Sequence, residues 1–133
     1  YLYAEGSRAP IPDPKVLELA KQEAQRLGIT QRNISDQEML ERIMFPLINE
    51  GALILEEGIA AKSSDIDVIY VYGYGFPVYR GGPMQYADEI GLLTVYDAMC
   101  KYRDELGEYG QHWFQPASLL KKLAEQGKRF ADL

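Results

Sequence analysis

The sequence predicts an all-α fold, with about six helices arranged around a long, kinked central helix. Apolar residues recur three and four positions apart along most of the 133-residue chain, which is the spacing of a helix face packed on a core. Prolines stand near the expected helix starts and glycines just beyond the expected helix ends. A single segment rich in β-branched residues has the composition of a strand, but no second segment offers it a partner.

The first helix follows a proline-rich N-terminal segment. Residues 1–12 (YLYAEGSRAPIP) combine prolines, a glycine and tyrosines, so we expect an extended arm that comes from an upstream domain of a longer protein. Residues 13–133 are expected to form the helical domain. Its first helix has Asp13 as the N-cap and Pro14 at the first helical position, and Gly28 supplies a left-handed end.

The central helix is predicted over residues 36–60, after the capping-box sequence SDQE. Its apolar side chains cover more than half of the circumference, so other helices should enclose most of it. Pro46 lacks an N–H and clashes with the preceding turn, which predicts a kink over residues 42–46. The apolar residues are Met39, Leu40, Ile43, Met44, Leu47, Ile48, Leu55 and Ile59.

A polar stripe on this helix has two interpretations. Arg42, Asn49 and Glu56 recur every seven residues and therefore share one face. That face is either solvated or in contact with another domain, and a solvated face is the commoner case for such a stripe.

The segment SSDIDVIYVYG has the composition of a strand, since β-branched and aromatic residues dominate it. Ser64 followed by Asp65 and Asp67 is instead typical of a helix start, where the helix dipole favours acidic residues. We predict a helix. Further helices are expected over residues 84–90 and 95–106.

A last helix is predicted over residues 116–126, and Gly127 should end it. The glycine-rich connector before this helix carries His112, the only histidine. We expect His112 on the surface. Cys100, the only cysteine, falls in an amphipathic helical pattern and is expected to be a half-buried thiol.

Composition excludes several classes of function. The 14 Lys and Arg residues against 20 Asp and Glu residues give a net charge of −6, which disfavours nucleic-acid partners. No apolar run is long enough for a membrane helix, and no signal peptide is visible. One cysteine and one histidine exclude an internal disulfide and a Cys/His metal site, so we expect no bound metal. A reducing compartment, cytosol or organelle matrix, is expected.

The stretch GYGFPVYRGGPMQYADEIG, residues 73–91, is the richest in glycine. It lacks the dinucleotide-binding fingerprint, because Val78 stands where the third glycine belongs, and it has no Gly-Lys-Ser/Thr phosphate loop. Arg80, beside two glycines, could bind one anion at the start of the following helix. The favoured interpretation is a hinge, because glycines permit positive φ while prolines fix the chain.

The hinge interpretation assigns structural roles to a set of positions. Tyr74, Phe76 and Tyr79 are expected to anchor the bend by packing. The glycines and prolines of the hinge are Gly73, Gly75, Pro77, Gly81, Gly82 and Pro83.

Two longer stretches, ERIMFPLINEGALILEEGIA and IDVIYVYGYGFPVYRGGPMQYADEIGL, resemble the C-terminal domain of 3-hydroxyacyl-CoA dehydrogenases. The resemblance is strongest between Ser35 and Leu92, and it is greatest to the second, final copy of that domain in multifunctional β-oxidation enzymes, which join enoyl-CoA hydratase and dehydrogenase modules. It implies a helical fold similar to the C-terminal domain of 6-phosphogluconate dehydrogenase. Its first motif, R-x-x-x-P-x-x-N-E, comprises structural or interface residues Arg42, Pro46, Asn49 and Glu50.

The resemblance implies a catalytically silent copy. The family's catalytic copy carries an asparagine immediately before the arginine of the long helix, where it helps to hold acyl-CoA, whereas here Glu41 precedes Arg42. The family's catalytic His/Glu pair and its NAD site lie in a Rossmann-type domain, which these residues do not contain. We therefore expect no catalytic residue and no bound cofactor here, and NAD in the parent enzyme.

The resemblance also implies partners and a location. This domain should pack on the catalytic copy among the upstream dehydrogenase domains of the same chain, while acyl-CoA binds the parent enzyme. The isolated chain could self-associate through its uncovered surface. Bacterial cytoplasm or, in a eukaryote, the peroxisomal matrix is expected. Two alternatives stay open: Arg80 could contact CoA phosphates, or the domain could be a non-catalytic helical interaction module.

Overall fold

The computed structural model describes all 133 residues and contains seven α-helices, which confirms the all-α prediction. Its β-structure is limited to one antiparallel bridge between Leu2 and Ile11. Short 3₁₀ turns cover Val78–Arg80 and Phe130–Asp132. The helices are α1 Pro14–Arg26, α2 Asp36–Glu56, α3 Ser63–Gly73, α4 Pro83–Ile90, α5 Leu92–Glu105, α6 Gly107–Trp113 and α7 Ser118–Glu125.

The chain divides into two compact units, residues 1–35 and residues 36–133. In the first unit, the predicted caps of α1 are confirmed: the Asp13 side chain accepts a hydrogen bond from the Lys15 N–H at 2.9 Å, and Gly28 has φ 67°. No residue of α1 is buried. The upstream origin proposed for residues 1–12, and a domain boundary at residue 13, stay predictions.

In the second unit, α2 contacts α3, α4, α5 and α7 and so occupies the centre that the sequence predicted for it. Helix α6 packs on α5, and the C-terminal 3₁₀ turn packs on α4. One hydrophobic core joins these elements. Its fully buried apolar side chains include Ile48, Met84, Val95, Met99, Phe114, Leu120 and Phe130.

Helix α2 differs from its prediction in two respects. It ends at Glu56, four residues early, because Gly58 (φ 69°) adopts the left-handed conformation and the Ile59 N–H bonds the Ile54 carbonyl at 3.0 Å. The prediction that other helices enclose most of α2 also holds for only part of the helix. Phe45, Ile48 and Ala52 are buried, whereas Met39, Leu40 and Ile43 near the N-terminus are exposed.

The ambiguous segment is a helix, as predicted, and it begins at Ser63. The Asp65 carboxylate accepts a hydrogen bond from the Lys62 N–H at 3.1 Å, which caps the first turn. Its β-propensity alone favours a strand. The acidic cap and the lack of a partner strand outweigh that propensity, and the segment is helical.

Helix α6 was not predicted, since its glycines indicated a connector. Gly110 is buried, and a Cβ at this position would collide with the carbonyl oxygens of Tyr102 and Arg103 in α5. The glycine therefore serves close helix packing instead of a loop.

The structure lacks two kinds of feature, a membrane-spanning helix and a metal-binding cluster. None of the helices combines the length and the apolar character that crossing a bilayer requires. No three His, Cys, Asp or Glu side chains are grouped so that they could hold a metal ion.

Candidate functional site

Glu41 and Arg42, on the exposed half of α2, both have partners within the chain. The Tyr102 hydroxyl of α5 donates a hydrogen bond to the Glu41 carboxylate at 2.5 Å, and the Gln37 amide donates another at 2.7 Å. Arg42 lies 3.5 Å from Glu38, one helical turn away. Burial, followed by the bond to Glu41, raises the pKa of Tyr102 well above its usual value. Glu41 therefore ties α2 to α5.

Asn49 corrects the prediction of a solvated polar stripe. Its side chain is buried, donates to the Gln115 carbonyl at 3.0 Å and accepts from the Ala117 N–H at 2.7 Å. The connector between α6 and α7 covers this part of the face and needs a polar partner for its backbone. Glu56 is exposed and Arg42 is half-buried, so the solvated interpretation holds for only part of the stripe.

Asp67 bonds the backbone at the start of α4, where the less favoured interpretation placed an anion. Its carboxylate accepts hydrogen bonds from the N–H groups of Met84 at 2.7 Å and Gln85 at 3.1 Å, at the start of α4. Gly82, at φ 129°, passes so close that a Cβ would collide with this carboxylate. The chain's own carboxylate therefore takes up the N–H groups that an anion at the start of this helix would use. The possible anion contact of Arg80 stays a prediction.

Asp67 also departs from its predicted role as a first-turn residue of α3. It is buried on the side of α3 that faces α4. Burial raises the pKa of the Asp67 carboxyl, the two backbone hydrogen bonds lower it, and the nearby Asp88 carboxylate raises it. The net direction is upward.

Arg80 lies at a small cleft of about 200 Å³ next to the glycine-rich turn. Its guanidinium carbon stands 5.5 Å from the Tyr79 ring centre and 5.4 Å from that of Tyr86, both at cation–π distance. The remaining lining residues are apolar: Leu40, Met44, Phe76 and Pro77.

The aromatic anchors predicted for the bend are only partly correct. Phe76 is half-buried, and its N–H bonds the Tyr70 carbonyl at 3.0 Å. Tyr74 and Tyr79 are 75% and 82% exposed, so they do not anchor the turn by burial. The contact between Asp67 and α4 holds the turn instead.

A larger cleft of about 780 Å³ lies between α2 and the connector after α6. Pro46, Asn49 and Glu50 line one wall, and His112 and Trp113 line the other. His112 is exposed, as predicted, and stacks edge-on against Trp113 with ring centres 4.8 Å apart. Three residues of the R-x-x-x-P-x-x-N-E motif thus line the larger cleft, and Pro77 of the hinge lines the smaller one.

Sequence reasoning missed the polar side chains that connect the elements. Asp88 of α4 accepts from the N–H groups of Phe130 at 2.7 Å and Ala131 at 3.0 Å, which fixes the C-terminal turn. The connecting role of Asp67 could have been recognised in the sequence, because this acidic residue directly follows Ile66 in an otherwise apolar helical segment. No comparable sequence feature distinguishes Asp88 or Tyr102.

Comparison with known proteins decides the family. The family model described as "3-hydroxyacyl-CoA dehydrogenase, C-terminal domain" matches residues 39–130. This chain belongs to that family. The match runs from the first turn of α2 to the start of the C-terminal turn, the part of the second unit that contains both clefts.

Three curated relatives illustrate the similarity of this family member to longer proteins. The peroxisomal bifunctional enzyme of Danio rerio is 44% identical over 128 residues, which cover 96% of this chain and 18% of the relative. That of Homo sapiens is 44% identical over 116 residues, 87% of this chain and 16% of the relative. The peroxisomal fatty acid beta-oxidation multifunctional protein of Oryza sativa subsp. japonica is 34% identical over 131 residues, which cover 95% of this chain and 17% of the relative. The chain therefore spans less than a fifth of these relatives.

Proposed function

We propose that this dehydrogenase C-terminal domain is a non-catalytic copy, which packs on and stabilises the catalytic copy within a longer multifunctional β-oxidation enzyme. The parent enzyme would oxidise 3-hydroxyacyl-CoA to 3-ketoacyl-CoA with NAD. The length and the names of the relatives support a multifunctional parent. Their names also favour the peroxisomal matrix over a bacterial cytoplasm as its location.

The observation that carries the proposal is the hydrogen bond between Tyr102 and Glu41. Glu41 stands at the position of the asparagine with which, as the family resemblance implies, the catalytic copy holds acyl-CoA. An ionised carboxylate has no N–H to donate and repels an oxygen that carries negative charge. Because Glu41 already accepts from two side chains of this chain, it serves the packing of α2 on α5.

The residues of this chain do not fit NAD. Its fold is helical, and its glycine-rich turn follows a helix, whereas a dinucleotide site needs a strand before the glycines. The N–H groups of Met84 and Gln85, which would face a pyrophosphate, are bonded to Asp67. We therefore assign NAD to an upstream domain of the parent enzyme.

The test is acetoacetyl-CoA-dependent NADH oxidation with three samples: the 133-residue chain, the parent enzyme truncated before residue 36, and their mixture. The chain alone should be inactive, and circular dichroism should show that it is nevertheless helical. The truncated enzyme should lose activity on mild heating, and the mixture should recover it. Turnover by the chain alone, or a truncated enzyme as active and heat-stable as the whole, would overturn the proposal.

A second candidate function is favoured by one observation, the exposed Arg80 guanidinium that forms no ion pair within the chain. It could reach the CoA phosphates of substrate bound elsewhere in the parent enzyme. Arg80→Ala in the full-length enzyme would then raise KM for acyl-CoA while leaving kcat and the melting temperature unchanged. An unchanged KM would dismiss this candidate.

A further inference from the structure

The cleft beside Arg80 is apolar apart from that one guanidinium. Leu40 and Met44 of α2 form one side, and Phe76 and Pro77 of the turn form the other. Its volume of about 200 Å³ is below the range of cofactor pockets, about 300–1,000 Å³. A space of this size accommodates one large side chain of a protein partner.

The Arg80 guanidinium is held in place without a charged partner. Two tyrosine rings, of Tyr79 and Tyr86, flank it at 5.5 and 5.4 Å, and no acidic side chain pairs with it. The chain has acidic residues in excess, 20 against 14 basic ones, so this unpaired cation is not due to a shortage of carboxylates. A planar guanidinium that lies over two aromatic rings and has no ion-pair partner in the chain can donate to both oxygens of a carboxylate as bidentate partners.

A set of exposed apolar side chains comes from the same part of the chain. We call it the tyrosine patch: Val68, Ile69, Tyr72, Tyr74, Val78 and Tyr79. Tyr72 is 85% exposed and Tyr79 is 82% exposed. Helix α3 thus buries Ile66 on one side and exposes apolar residues on the other, as expected of a helix that another surface covers. Tyrosine and arginine are also among the residues enriched at interface hot spots.

We propose that the Arg80 cleft and the tyrosine patch receive another part of the same longer polypeptide, whose surface presents a carboxylate beside a large apolar side chain. The apolar side chain fills the cleft, and the carboxylate pairs with Arg80. This inference rests on the proposed packing role and specifies its surface and its chemistry.

Charge and geometry favour this occupant over the others. A phosphate ligand would gain no backbone N–H groups at the start of α4, because Asp67 holds those of Met84 and Gln85. A second copy of the chain carries the same net charge of −6, which opposes its approach. A protein surface with one carboxylate satisfies Arg80 and covers the tyrosines together.

The experiment is hydroxyl-radical footprinting of the full-length parent enzyme, which reports the solvent exposure of individual side chains. We expect Tyr72 and Tyr79 to be modified about tenfold more slowly than Tyr109, an exposed tyrosine of α6. Arg80→Glu should raise the rates at both patch tyrosines towards that of Tyr109. Lys128→Glu, the same change of charge at an exposed site outside the patch, should leave them unchanged.

Each other outcome overturns the inference. If Tyr109 and Trp113 are protected while Tyr72 and Tyr79 are not, the packing role stands and this surface is wrong. If none of these side chains is protected, the packing role fails as well. Protection that depends on enzyme concentration would indicate a second copy. Unchanged footprints in Arg80→Glu with a raised KM for acyl-CoA would indicate a phosphate contact.

Discussion

At the scale of single residues, three polar side chains connect distant elements by bonding to their backbones. Asn49 holds the connector between α6 and α7, Asp67 holds the start of α4, and Asp88 holds the C-terminal 3₁₀ turn. Each satisfies N–H groups that the local secondary structure leaves unpaired. These contacts specify how the elements meet, which apolar packing alone specifies less strictly.

Asp67→Ala should lower the free energy of unfolding by about 2–4 kcal/mol, because two N–H groups lose their acceptor in a place that water scarcely reaches. Asp65→Ala provides the control, since Asp65 caps one exposed N–H and should cost about 0.5–1 kcal/mol. Urea unfolding measures both. Equal losses for the two variants would show that the buried contact at α4 contributes little.

Asp67 should also give stability a distinctive pH dependence. Burial raises the pKa of its carboxyl above the ordinary 3.8, so folded Asp67 keeps its proton to higher pH than unfolded Asp67. The resulting stabilisation is fully present below the unfolded pKa and is lost as pH rises through the folded pKa. The difference in unfolding free energy between wild type and Asp67→Asn should therefore fall as pH rises from 3.8. Urea titrations across the acidic range would show it, and a constant difference would contradict the assignment.

Tyr102→Phe should cost about 1–3 kcal/mol, because it removes the hydroxyl that donates to the Glu41 carboxylate. Tyr109→Phe, at an exposed tyrosine, should change stability by less than about 0.5 kcal/mol. The pKa of Tyr102 is raised above its ordinary 10.0, so its stabilisation persists up to that pH and is lost above it. Thermal melts at neutral and alkaline pH test both points, and identical melts for the two variants would refute the bond.

At the scale of elements, several helix caps could be predicted from local sequence, whereas most contacts between helices could not. The cap at Asp13 and the glycine ends at Gly28 and Gly127 follow from local chemistry, and the structure contains them. The 36–60 prediction overran because apolar periodicity continued past the stop that Gly58 supplies. Helix α6 was missed because glycine lowers helix propensity, while its reason here, close approach to α5, is tertiary.

Two glycine-to-alanine substitutions should have opposite effects on the stability of the fold. Gly110→Ala in α6 should cost about 3 kcal/mol or more, because its Cβ meets backbone carbonyls of α5 that cannot rotate away. Gly73→Ala at the end of α3, where no atom lies within 4 Å of the added Cβ, should stabilise by about 0.4–1 kcal/mol. Thermal unfolding of both variants is the measurement. If Gly110→Ala were also stabilising, the close packing of α6 on α5 would be wrong.

At the scale of the whole molecule, the sequence predicted the fold class and the family but not the two clefts. Motifs of the long helix and of the glycine-rich turn carry the family resemblance, and both are local patterns. The clefts depend on which turn meets which helix, for example on Phe76 and Pro77 lying opposite Leu40 and Met44. Such contacts are made by residues far apart in sequence, so the local hydrophobic periodicity does not predict them.

The surface of the isolated chain leads to a final prediction, that it self-associates reversibly. Ile43, Ile59, Tyr72 and Tyr79 are each more than 70% exposed, whereas a stable monomer rarely presents so many large apolar side chains. The net charge of −6 opposes contact between copies, so screening by salt should strengthen the association.

Sedimentation at about 0.05 and 0.5 M NaCl should show a larger average mass at the higher salt concentration. Tyr72→Ser should reduce that mass, whereas Ser64→Ala on the same helix should not. A chain that stays monomeric at about 100 μM in both salts would show that its apolar surface is too dispersed to form an interface.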